Sequence, residues 1–98
     1  EMYATFERAY VRHGYPDAIT QHHQGGLTGY QAREVVARPD SAEVIQPHMA
    51  VAWNPSVPGA KIEDTFVVGS DGLTNLTFDP HWPHRVIGGR ARPLVLTR

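Results

Sequence analysis

The chain has 98 residues, enough for one small domain and too few for two. Its formal net charge of −1 gives no basic field to recruit nucleic acid or an anionic membrane surface. There is no cysteine, which excludes disulfides and thiolate ligands and leaves only nitrogen and oxygen donors for any metal. The apolar runs fall far short of the ~20 residues a bilayer span needs, and no secretory signal is visible, so a cytoplasmic location is the default.

The sequence opens at Glu1, with no initiator methionine, and enters a helical pattern with no Ser, Asp or Asn cap before it. This predicts that residues 1–98 are the C-terminal piece of a longer protein. Met2, Phe6, Ala9, Tyr10 and His13 recur at helical spacing and predict an amphipathic helix of about three turns. Gly14 caps it and Pro16 stops it. Residues 17–30 are rich in Gly, Gln and His and read as short extended segments around His22-His23-Gln24-Gly25-Gly26-Leu27. Residues 31–42 read as loop with about one turn of helix.

From Glu43 onward the pattern is β. Glu43–Gln46 predicts a short strand, Pro47-His48 a turn, and Met49–Asn54 a strand buried on both faces and ended by Pro55. A turn at 56–59 leads to Lys61–Val68, the longest strand predicted, rich in β-branched and aromatic residues. Gly69-Ser70-Asp71-Gly72 predicts a hairpin and Leu73–Phe78 its return. Residues 79–83 break the pattern, and Arg85–Thr97 predicts a last strand interrupted by Gly88-Gly89. One N-terminal helix and an antiparallel sheet define an α+β class.

Three residues stand out chemically. His23 precedes a Gly-Gly pair, where the backbone can approach a ligand closely. Glu63 sits beside Ile62 and ahead of Phe66-Val67-Val68; within a strand it is partly buried and needs a cation or a hydrogen-bonding shell, whereas on an edge strand it faces water. Asp64 points the other way in a regular strand, so the two acids do not act as a pair. Asn54 ends the preceding strand; taken alone it is an Asn-Pro turn starter, and it gains interest only through its pairing with the strand of Glu63. His13, His48, His81 and His84 have no ligand-like spacing, and Trp53 and Trp82 read as packing residues.

The order of these motifs resembles a known family. A Gly-Tyr-Pro turn after a helix is followed by His-x-x-Gly-Leu, a strand ending in x-Pro, Ile62-Glu63-Asp64-Thr65, an Asp-Gly hairpin and Leu-Thr. Over about residues 2–83 this is similar to the C-terminal half of the pita-bread metallopeptidases, which include Xaa-Pro aminopeptidase, prolidase and the metal-free hydrolase creatinase. The resemblance implies the C-terminal half of a pita-bread fold and a hydrolase acting on small peptides. It places His23 and Glu63 on metal ligands and Asn54 where the family has a glutamate that serves as ligand and general base. It places Tyr30 where many members have a substrate-touching histidine, and His22 beside the substrate. The two aspartate ligands would lie upstream.

These substitutions have consequences. Asparagine can offer a carbonyl oxygen but cannot take a proton from water. Each carboxylate lost at contact distance removes an attraction of roughly 4 kcal/mol at an effective dielectric of about 20. A divalent Mn, Zn or Co ion is therefore an expectation for a full-length protein and not for this piece, which is expected to be inactive alone. Three readings follow: a metal-dependent Xaa-Pro hydrolase, a metal-free hydrolase with His23 as general acid and base beside Glu63, and a pseudo-peptidase kept for binding. Half of such a fold would expose apolar sheet, so we expect a homodimer or higher oligomer. Sedimentation equilibrium checks this, and a monomer across the concentration range would contradict it.

Overall fold

The computed structural model describes residues 1–97. It is an α+β domain in which one N-terminal helix accompanies an antiparallel sheet, the class the sequence predicts. Helix α1 spans Met2–Arg12. Tyr3, Phe6 and Tyr10 share one side at i, i+3 and i+7, and the apolar cluster joins them to Ala18, Ile19 and Val57. Arg12 lies in the last turn, where a cation suits the helix dipole. Gly14, at φ +85°, takes the chain out of the helix, as expected of a glycine there.

A short helix α2, Ala18–Gln21, leads into the sheet. Five strands run in the order β2-β1-β3-β6-β7, where β1 is Gly25–Thr28, β2 Val35–Val36, β3 Ala50–Trp53, β6 Asp64–Val68 and β7 Leu73–Asn75. Every neighbouring pair is antiparallel. The central strand β3 buries Val51 and Ala52, and β6 adds Phe66. Two small ribbons complete the fold: β4 (Ser56–Val57) with β5 (Ala60–Lys61), and β8 (His84–Ile87) with β9 (Arg90–Pro93). No helix among the described residues is long and apolar enough to cross a membrane.

Several local expectations are corrected. Residues 17–30 include α2, whose Ala18 and Ile19 are buried. Residues 43–46 form no strand: Val44 is exposed and this segment has no ladder partner, without which β propensity alone holds nothing. The 61–68 strand is split, because the turn at Gly59 (φ +84°) first pairs Ala60–Lys61 back onto Ser56–Val57. The returning strand ends at Asn75. The Gly88-Gly89 interruption is the tip of a hairpin, both glycines having positive φ.

Two constraints fix how these elements pack. Gly25 has φ +106°, and a Cβ there would lie 2.0 Å from the Ala52 carbonyl oxygen, so β1 can pack this tightly on β3 only without a side chain. Tyr10 donates its hydroxyl proton to Gln24 Oε1 (2.7 Å) and accepts the Ser56 N–H (2.8 Å), joining α1 to the start of β1 and to β4. Tyr10→Phe keeps the ring and strands a buried acceptor and a part-buried donor, so it should cost about 1–3 kcal/mol. Urea unfolding checks this; an unchanged midpoint would show the bridge to be neutral.

Candidate functional site

The site is built on one row of the sheet. Trp53 pairs with Gly25 and with Asp64. One residue further along, the Asn54 N–H donates to the Gln24 carbonyl (3.0 Å), and Ile62 N–H donates to the Pro55 carbonyl (3.3 Å). Gln24, Asn54 and Glu63 therefore sit abreast at the ends of β1, β3 and β6.

Gln24 is fully buried. Its amide nitrogen donates to the carbonyls of His22 (2.6 Å) and Ile19 (3.3 Å), and its oxygen takes the Tyr10 proton. With Gln24 anchored inward, the neighbouring His23 is left exposed. The His22 and His23 rings lie 4.5 Å apart, and His22 Nδ1 is 2.6 Å from the His23 carbonyl oxygen. A carbonyl only accepts, so Nδ1 carries the hydrogen and Nε2 of the neutral ring is the free lone pair. Asn54 is 2 % exposed and its Oδ1 has no hydrogen-bond partner among the described residues. An unpaired buried acceptor of this kind costs about 1–3 kcal/mol, and such groups concentrate at functional positions.

Glu63 is not the partly buried strand carboxylate that one of the sequence expectations describes. It precedes β6, and its side chain is 44 % exposed. Oε1 meets Arg33 Nη2 at 2.7 Å and Oε2 meets Lys61 Nζ at 3.2 Å. The Arg33 hydrogen bond, aided by Lys61, holds the Glu63 carboxyl below its ordinary 4.5 against the opposing effect of burial. The buried acid is its neighbour Asp64, which accepts from Asn75 Nδ2 (3.2 Å), Thr77 Oγ1 (2.9 Å) and Arg92 Nη1 (3.0 Å).

Between the expected site residues His23 and Glu63 there is a charge effect, the smallest of the influences on the imidazole, and no hydrogen bond or ion pair among the described residues. Burial is the largest influence on His23 and lowers it below 6.5, with His22, Arg33 and Lys61 acting the same way and Glu63 opposing them. His23 is thus neutral at pH 7. Tyr30 is fully exposed in the turn beyond β1, and no side-chain contact ties it to the group. Sequence reasoning missed Arg33, whose loop position carries no periodic signal. It also missed Asp64 as the buried acid, although the i, i+2 relation of Asp64 to buried Phe66 marks the inward face.

The donor set does not fit a divalent ion. Both Glu63 oxygens are occupied by cationic groups, and no three His, Asp or Glu side chains come together among the described residues. No family model, curated protein or solved structure matches the chain.

The electrostatics give a signed expectation. Ionised Glu63 favours the fold above its ordinary value and loses that contribution as pH falls through its lowered one, whereas His23 contributes nothing while neutral and opposes the fold on protonating, so both make stability fall on acidification. Arg33→Met removes one cation acting on His23 and frees the opposing charge of Glu63, so the His23 pKa should rise. An NMR titration of the imidazole C–H signals checks this; an unchanged or lower value would contradict it.

Proposed function

We propose that this chain supplies the histidine–carboxylate side of a site that hydrolyses small amides, with Xaa-Pro peptides as the first substrate class to test. What supports the reading is that the His23 imidazole feels the charge of Glu63 at the end of the sheet where the Asn54 carbonyl has no partner among the described residues. The family resemblance agrees with it.

In this reading His23 takes a proton from water as the water attacks the amide carbonyl, then returns it to the leaving amine. Glu63 stabilises the imidazolium that forms between those two events. Arg33 and Lys61 keep Glu63 ionised and offer positive potential to the developing oxyanion. Asn54 provides an acceptor for an N–H of the substrate or for the attacking water, a role that needs no charge. His22 buttresses the His23 ring, and substrate contact by Tyr30 would require the exposed turn at 29–34 to close over the site. A metal-dependent form with Mn, Zn or Co would need carboxylates beyond those described, as the family has.

A second reading, a pseudo-peptidase whose fold serves binding, is favoured by Asn54 standing where the family has its general base. The two separate on the protein in its natural full length, assayed with Xaa-Pro dipeptides and simple amides in EDTA and with Mn²⁺, Zn²⁺ or Co²⁺. The hydrolase reading expects turnover that His23→Ala reduces by roughly 100-fold or more. Turnover in EDTA identifies the metal-free form; absence of turnover on every amide under every condition sinks the hydrolase.

A further inference from the structure

A second concavity lies between the β6–β7 edge and the β8–β9 hairpin, a cleft of about 260 Å³. Asp64, Asn75 and Thr77 line it together with Phe78, Trp82, His84 and Asp79. Phe78 and Trp82 are both partly exposed, and the Phe78 ring meets the His84 ring edge-on at 5.1 Å.

The polar capacity of this lining is unbalanced. The single Trp82 N–H is spent on the Leu94 carbonyl (2.9 Å), leaving the indole as an apolar π surface. His84 Nδ1 sits 2.9 Å from the Trp82 carbonyl oxygen, so it carries the hydrogen and Nε2 of the neutral ring is a bare acceptor. The Thr77 hydroxyl has one proton, already engaged by Asp64 Oδ1 (2.9 Å) or Asn75 Oδ1 (3.0 Å). Asp79 Oδ1 accepts the His81 N–H (2.8 Å), and its other oxygen has no hydrogen-bond partner among the described residues. Among the described residues no Lys or Arg lines the cleft. Glu63 and Asp64 are compensated by Arg33, Lys61 and Arg92, whereas Asp79 has no ion-pair partner among the described residues. A ligand matching this surface brings hydrogen-bond donors, a positive charge and a short apolar body.

We propose that this cleft binds a small alkylammonium ion, its charged head over the Trp82 and Phe78 rings beside Asp79. An ammonium group over an aromatic face is attracted by the ring quadrupole. The volume lies just below the roughly 300–1,000 Å³ of sites for drug-sized ligands, which restricts the class to small amines. The inference does not rest on the hydrolase reading.

The test is an NMR titration of the whole chain at pH 8 with n-propylammonium chloride, against n-propanol and sodium chloride. The expected result is a saturable shift of the Trp82 indole N–H and the Asn75 side-chain amide with the ammonium salt alone, the Trp53 indole serving as internal control. Trp82→Ala should weaken binding, read at Asn75, by about two- to thirty-fold, while Trp82→Phe keeps a π face and most of the affinity. Asp79→Asn should weaken it by about two- to five-fold. An unsaturable drift, an equal response to propanol or sodium chloride, or undiminished binding in Trp82→Ala and Asp79→Asn would overturn it.

Discussion

The antiparallel ladder of β1, β3 and β6 is the constraint from which the chemistry of this molecule follows. Residues thirty or more apart in sequence become neighbours only because Gly25 faces Trp53 and Trp53 faces Asp64. A one-residue slip between β3 and β6 would separate Asn54 from Glu63 and exchange the inward and outward acids. The register has two supports away from the strands themselves. Gly25 admits β3 closely, and Tyr10 ties the chain just before β1 to the chain just after β3.

That geometry divides two adjacent carboxylates between opposite tasks. Asp64 turns inward to a closed shell of amide, hydroxyl and guanidinium donors, which suits a structural acid. Glu63 turns outward, where two cations hold it ionised. The same cations that preserve its charge also compete for its oxygens, so the arrangement favours proton chemistry at His23 over ion binding. Removing Arg33 would alter both properties together, since it acts on the imidazole and the carboxylate alike.

Much of the architecture was legible in the chain. The spacing of Phe6 and Tyr10 marked α1, and the run Met49–Asn54 marked the central strand, because a long helix and a doubly buried strand carry strong periodic signals. The α+β class was legible too. Exposure was not. Glu63 looks strand-borne until the turn at Gly59 takes Ala60 and Lys61 into a separate ribbon. Val44 looks β-forming, yet no partner strand exists for it in the described structure. Arg33 is tied to Glu63 across thirty positions, and a contact of that range leaves no local trace. The orphaned oxygen of Asn54 depends on what surrounds it, which only packing decides.

The β8–β9 hairpin has a different standing from the sheet. Its first strand is exposed throughout, and its side-chain attachments to β6 are Arg92 on Asp64 and Arg90 over the Phe66 ring at 5.9 Å. Two-stranded ribbons are marginal by themselves. A segment fastened by two guanidinium groups, with little apolar surface behind it, detaches at a lower free energy than the ladder it leans on. Dissolved electrolyte weakens the more exposed of those fastenings while leaving hydrophobic packing almost untouched. The side-chain hold of this ribbon on β6 is therefore cationic, where the strands of the ladder hold one another by backbone hydrogen bonds.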